Sequence, residues 1–149
     1  MITHEPIDLH ALTRTSGPAV GAQVVFSGIV RNHHDGKPVL KLMYECYESM
    51  ALKEIQKIIF EARKQWPLHE ARVLHRVGEI FIGEIAVVVI TESAHRAEAY
   101  AANVWIMDAI KSNAPIWKKE LYADGVENWI QCDCGKSSYD EHQTFMLEK

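Results

Sequence analysis

The chain has 149 residues, 48% apolar and 24% charged, and a net charge of −4. This is the composition of one globular domain, 1–149, and the acidic balance argues against nucleic acid as a main partner. The longest apolar run, 85–90, is far shorter than the roughly 20 residues of a membrane helix, and residues 1–6 lack the basic and apolar parts of a secretory leader, so the expected setting is the cytoplasm with no membrane partner.

The first 20 residues are weakly patterned and hold a turn signal, Ser16-Gly17-Pro18. Residues 21–31 read as a strand, with Val24, Phe26 and Ile29 separated by small or polar residues. Asn32-His33-His34-Asp35-Gly36-Lys37-Pro38 is a loop by its Asp-Gly and Pro breakers. Residues 39–47 put Leu40, Leu42, Tyr44 and Cys46 on one side, and are expected to pair back on the first strand. Residues 49–66 give the clearest helix. Leu52, Ile55, Ile59, Ala62 and Trp66 recur at spacings of three and four, Ser49 stands as N-cap, and Pro67 stops the helix.

Residues 71–77 and 85–90 read as strands, the second apolar enough to be central, with Gly78 and Gly83 punctuating the stretch between. Residues 93–111 form an Ala-rich second helix, with Ala94, Ala97, Ala101, Val104, Trp105 and Ala109 expected to face inward. Asn113-Ala114-Pro115 ends it. Residues 116–122 and 128–131 make a hairpin across Ala123-Asp124-Gly125. The polar tail 134–149 is expected to stay mobile until it docks. The order β-β-α-β-β-α-β-β is that of an α+β fold with two principal helices and a mainly antiparallel sheet.

Thr91-Glu92-Ser93-Ala94-His95-Arg96 follows the most apolar strand and opens a helix. With Ser93 as N-cap, His95 and Arg96 fall in the first turn, where the macrodipole disfavours cations by about 0.3–1 kcal/mol. A bound anion reverses that sign; the plainer alternative is a pair of solvated side chains. Lys111 ends the same helix, where a cation complements the dipole without any ligand. Lys118 and Lys119 follow Trp117 on a strand, so one can enter a pocket while the other is solvated. Arg31 closes the first strand before a loop, a place where phosphate-binding groups gather. His95 and Lys111 are separated by 16 positions, about 24 Å along a helix. Either they belong to different sites, or one site is shared across a symmetric dimer, with His95 and Arg96 from one subunit and Arg31, Lys111 and Lys118 from the other.

Other chemistry has little support. Cys132-Asp133-Cys134 with His142 lacks the four-ligand spacing of structural zinc, and His33-His34 is an adjacent, solvated pair, so no metal is expected. Cys46, Cys132 and Cys134 do not make a disulfide framework. No phosphate-binding glycine loop or nucleophile elbow occurs, which leaves nucleotide hydrolysis and acyl-serine chemistry without a motif.

Seven ordered segments resemble the large, catalytic subunit of molybdopterin synthase. They are Phe26-Ser27-Gly28-Ile29-Val30-Arg31-Asn32-His33, Tyr44-Glu45-Cys46-Tyr47-Glu48-Ser49-Met50, Trp66-Pro67-Leu68 and Val73-Leu74-His75-Arg76-Val77-Gly78-Glu79, then Thr91-Glu92-Ser93-Ala94-His95-Arg96, Trp105-Ile106-Met107-Asp108-Ala109-Ile110-Lys111 and Ala114-Pro115-Ile116-Trp117-Lys118-Lys119-Glu120. The resemblance implies an α/β-hammerhead-like fold and a homodimer. Each half would bind one small ubiquitin-like sulfur carrier, giving a heterotetramer. The carrier's C-terminal Gly-Gly thiocarboxylate would enter a pocket and pass two sulfurs in turn to cyclic pyranopterin monophosphate, forming the molybdopterin dithiolene as the cyclic phosphate opens. No cofactor is implied.

By the same resemblance, Lys118 and Lys111 are the catalytic lysines, with Lys118 nearer the transfer centre. Ile29, Val30, Arg31, His95, Arg96, Lys119 and Glu120 join them as substrate contacts. Two positions depart from the family pattern: Lys119 stands where some relatives have Arg, and Gln131 stands where a basic residue is common. The competing expectation is a non-catalytic dimeric module that binds a ubiquitin-like tail or a phosphorylated metabolite. A phosphate-ester hydrolase ranks last.

Overall fold

The computed structural model describes residues 1–130. Gln131, Cys132, Cys134, His142 and the tail 134–149 lie outside the described residues. The elements are β1 (Ile2–Thr3), α1 (Leu9–Leu12), β2 (Ala22–Ile29), β3 (His33–His34), β4 (Lys37–Cys46), α2 (Glu48–Gln65), β5 (Leu68–Arg76), β6 (Gly78–Phe81), β7 (Ile85–Ser93), α3 (Arg96–Asn113), β8 (Ile116–Tyr122) and β9 (Glu127–Ile130). No helix among the described residues is long and apolar enough to cross a membrane.

Two sheets share the chain. The first has the order β1-β5-β7-β2 and is antiparallel except where β1 joins β5. Its middle strand β7 is buried almost throughout, as its unbroken apolar run requires. Val87 and Val89 of β7 face α2 and α3 in the main core, with Ile55, Ile58, Ala62, Val73, Ile106 and Ile110. Ala86, one step along, faces the second core with Val30, Val39, Leu42, Ile80 and Tyr122. The second sheet runs β3-β4-β8-β9, with β6 also paired to β4. Trp66 closes α2 with extended backbone, as the following Pro67 demands, and its ring packs 5.8 Å from that of Trp105.

The α+β class, the two principal helices and the β8–β9 hairpin agree with the sequence reading; several local expectations are corrected. β4 does not pair back on β2. Asp35 and Gly36, with φ of 47° and 76°, close a two-residue hairpin between β3 and β4 inside the stretch read as loop. Val30 is tied by hydrogen bonds to Glu84 (3.0 Å) and Gly83 (2.8 Å), so β2 ends on the β6–β7 turn and β4 is carried into the other sheet. The residues between Gly78 and Gly83 form β6 rather than plain punctuation. Residues 1–20 supply β1 and α1, the latter capped by Asp8.

Neither predicted serine caps its helix. Tyr47 stands at the N-cap of α2, its amide tied to the Pro115 carbonyl (3.2 Å) and its carbonyl accepting from Ala51 (2.8 Å). Ser93 is still paired in β7, to both Ala22 and Leu68, so the N-cap of α3 falls on His95. The inward face of α3 is also turned from the expected one. Ala99, Ala102, Asn103, Ile106, Met107 and Ile110 are buried, Trp105 and Ala109 lie at the margin, and Ala94, Ala97, Ala101 and Val104 are exposed. The pivot is Asn103, a polar residue in the core. Its amide donates to Val24 O (3.3 Å), Val89 O (3.0 Å) and Thr91 Oγ1 (3.3 Å).

Candidate active site

A cleft of about 400 Å³ opens between the end of β2, the last turn of α3 and the face of the second sheet. Phe26, Ile29, Arg31, His33, Val39, Leu42, Tyr44, Lys111, Lys118 and Glu120 line it. The size suits a small organic ligand. Each cation arrives by a local cause. Arg31 follows the buried, hydrogen-bonded Val30, which anchors the strand end. Lys111 sits in the last turn of α3, where the helix dipole favours a cation. Lys118 lies on β8 directly across from Tyr44 of β4, so both side chains face the cleft. Lys119, one residue on, points to the opposite face. It pairs with Glu127 (2.7 Å) and lies 5.5 Å from the Trp129 ring centre, apart from the cleft.

Among the described residues, the one carboxylate that lines the cleft is Glu120, 3% exposed. One of its oxygens accepts from Lys118 Nζ at 2.9 Å. The other accepts from Tyr122 Oη at 2.7 Å and lies 3.0 Å from His34 Nδ1. Burial alone would raise the Glu120 pKa. The hydrogen bonds from Tyr122 and Lys118, with the charges of Lys118 and His34, outweigh burial and hold it below the ordinary carboxylate value. Tyr122 responds in the opposite sense: its hydrogen bond to Glu120, burial and the nearby negative charges push the phenol up to about 12. Glu120 is therefore an anion already satisfied by protein groups. Arg31 and Lys111 have no ion-pair partner among the described residues, which leaves the cleft cationic toward a ligand.

The sequence-derived site residues divide into two groups. Arg31, Lys111, Lys118, Glu120 and Ile29 share the cleft, whereas Val30 is buried in the second core behind it. His95 and Arg96 are exposed at the opposite end of α3, about 24 Å from Lys111. That corner is firmly built. Glu92, fully buried, accepts from the Ser16 amide (2.9 Å), Gln23 (2.6 Å) and Arg72 (2.8 Å). The Ser93 hydroxyl donates to the His95 carbonyl, and Gly21 packs so close that a Cβ there would lie 2.2 Å from the Ala94 carbonyl oxygen.

His34, Tyr122 and Tyr44 were not singled out as site residues by sequence. Tyr122 was legible from the period of two that puts it on the face of Lys118 and Glu120. Tyr44 and His34 required the β4–β8 pairing and the tight β3–β4 hairpin. Among the described residues, no group of three or more His, Cys, Asp or Glu side chains is arranged to hold a metal.

The fold and cleft define an α+β protein that gathers cations from a strand end, a helix end and a sheet face into one small cleft. A second cationic corner stands too far off to share that cleft within one chain. The family model described as MoaE protein matches residues 2–113, and the chain belongs to that family. It is 45% identical to the molybdopterin synthase catalytic subunit of Nostoc sp., over 87% of this chain and 79% of that one. The solved molybdopterin synthase from Staphylococcus aureus superposes with a TM-score of 0.79 at 38% identity, covering 87% of this chain and 94% of that one. At 23% identity, the complex of subunits 1 and 2 of molybdopterin-converting factor from Helicobacter pylori shares the fold, with a TM-score of 0.71 over 91% of this chain and 90% of that one.

Proposed function

We propose that this protein, as the catalytic subunit of a molybdopterin synthase, uses the cleft to transfer sulfur to cyclic pyranopterin monophosphate in the cytoplasm. The donor is the C-terminal thiocarboxylate of a small ubiquitin-like carrier; the product is the molybdopterin dithiolene. The observation that carries the reading is the convergence of Arg31, Lys111 and Lys118 in one cleft whose one carboxylate among the described residues, Glu120, is already satisfied. Arg31 suits the substrate phosphate because a guanidinium meets two phosphate oxygens at once. Lys118, held at the cleft wall by Glu120, stands nearest the transfer centre, with Lys111 assisting. Two cations beside the anionic thiocarboxylate, Lys118 held by Glu120 and Lys111 at the helix end, stabilise charge that develops during transfer.

The working unit in this reading is a homodimer that binds two carriers, one per half. Two features support it. His95 and Arg96 are too far from Lys111 to complete the cleft of their own chain. Ala97, Tyr100, Ala101 and Val104 recur at spacings of three and four on the exposed side of α3, an apolar stripe that a second copy would cover. The whole chain is read as one catalytic domain. The alternative of a non-catalytic binding module is not favoured, since the Nostoc sp. relative named above is a catalytic subunit.

The test is a single-turnover assay with thiocarboxylated carrier and cyclic pyranopterin monophosphate. Lys118→Ala should slow conversion about 10²-fold or more, the scale of removing one fixed charge-stabilising donor, while the folded dimer is retained, with a lowered melting temperature because the buried Glu120 loses its cation. Full turnover by the variant removes Lys118 from the chemistry; absence of thiocarboxylate consumption by the unaltered protein overturns the reading.

A further inference from the structure

His34 is half of an adjacent histidine pair, and the two rings have different surroundings. The His33 ring turns to its neighbour, with Nδ1 2.8 Å from Asn32 Oδ1. The His34 side chain is only 24% exposed and reaches the Glu120 carboxylate, the same group that holds Lys118. Its other nitrogen, Nε2, stands 3.8 Å from Asp35 Oδ1. Position 34 is fixed by the hairpin, since His34 pairs with Lys37 across the Asp35–Gly36 turn. The charged and titratable groups around the ring are Glu120 and Tyr122 on β8 and Asp35 and Lys37 on its own hairpin. Lys37 Nζ is 5.7 Å from the Tyr122 ring centre, and Lys118 lies beyond the shared carboxylate.

We propose that His34 is a positioning residue: it shares the Glu120 carboxylate with Lys118, and its protonation loosens the hold of that carboxylate on the lysine ammonium. This rests on the reading that Lys118 works in the cleft. The physical argument is charge division. Glu120 brings one negative charge, buried where charges interact strongly. With His34 neutral, that charge is opposed chiefly by Lys118. With His34 protonated, two cations compete for it. The shared carboxylate then holds the lysine less firmly, so the Lys118 side chain is freer to leave Glu120 and meet a reagent in the cleft when His34 carries a proton. A histidine is suited to this role because its charge changes near neutral pH.

The test reads Lys118 directly. Brief acylation with an N-hydroxysuccinimide acetate, followed by peptide mass spectrometry, gives the modification rate of Lys118 relative to the exposed Lys53 at pH 6 and pH 8. In the unaltered protein the ratio should be about threefold or more higher at pH 6 than at pH 8. In His34→Asn and His34→Gln, which keep a polar side chain but cannot titrate, it should be the same at both. A flat ratio in the unaltered protein, or a rise that persists in both variants, overturns the coupling. In turnover, kcat should lose part of its pH dependence in both variants while KM for the pterin is unchanged. An unchanged kcat profile overturns the positioning role. A pH-dependent acylation ratio together with full turnover by Lys118→Ala supports the coupling and overturns the assignment of Lys118 to the chemistry, so the two ideas fail separately.

Discussion

His75 offers a quantitative test of how the cleft wall is held. The side chain is 5% exposed, its Nδ1 meets the Arg76 carbonyl at 2.8 Å, and its ring stands edge-on to Tyr44, a cleft residue, at 5.1 Å. Burial lowers its pKa from 6.5 to about 4. The folded state thus favours the neutral ring. The unfolded chain takes up a proton below pH 6.5, while the folded chain does so only near pH 4, so stability falls as pH drops through that window. Linkage over these two values gives a loss of about 2 kcal/mol between pH 7 and pH 5, rising to about 3 kcal/mol below pH 4. Glu120 and Glu92 stay ionised between pH 7 and pH 5, because both are held below 4.5. Urea unfolding at pH 7 and pH 5, on the unaltered protein and His75→Gln, isolates the term, since the other histidines are common to both. The unaltered protein should lose about 2 kcal/mol more than the variant on acidification. Parallel losses in the two proteins would refute the account of a neutral ring bracing Tyr44.

Two further predictions concern the far end of α3. Gly21→Ala forces a Cβ to 2.2 Å from the Ala94 carbonyl oxygen, so the turn carrying His95 and Arg96 must shift; a destabilisation of about 1–3 kcal/mol is expected, and an unchanged thermal melt would show that the turn is not packed as described. Mixing a His95→Ala chain with a Lys118→Ala chain should restore about a quarter of the unaltered activity, because half of randomly formed dimers are mixed and each mixed dimer holds one intact site. No recovery in dimers verified as mixed would place His95 outside the shared site.

The sequence disclosed elements better than partners. Long periodic signals, such as 49–66 and the apolar run 85–90, mark α2 and β7 because burial on one face or on both leaves a repeated trace. The pairing of β4 with β8 leaves no such trace. It depends on a two-residue turn at Asp35–Gly36 and on hydrogen bonds at Val30, and neither changes the alternation of residues 39–47. The site follows the same rule. Lys118 and Lys119 could be told to face opposite ways from strand geometry alone, as they do. The resemblance groups Glu120 with the ligand contacts, and the structure puts it in the cleft lining, nearly buried among Lys118, Tyr122 and His34. A carboxylate's protein partners are set by tertiary neighbours, which no spacing encodes.

The misreading of α3 is the most informative of these differences. Taking its small and apolar residues as inward gave Ala97, Ala101 and Val104, which are exposed, while the polar Asn103 sits inside and satisfies two strand carbonyls and Thr91. A helix with one face on its own sheet and a second apolar face in solvent is costly for a monomer to carry, since each exposed apolar side chain forgoes burial worth about 25 cal/mol per Å². Tyr100 and Val104 on that second face are 60% and 52% exposed. The same helix carries Lys111 at one end and the His95–Arg96 corner at the other. A two-fold axis over the exposed stripe, with the helices antiparallel, would bring one chain's His95 toward the other chain's Lys111. One arrangement would then cover the apolar face and complete the cationic site, so loss of the dimer, for instance by Val104→Asp, should remove stability and activity together.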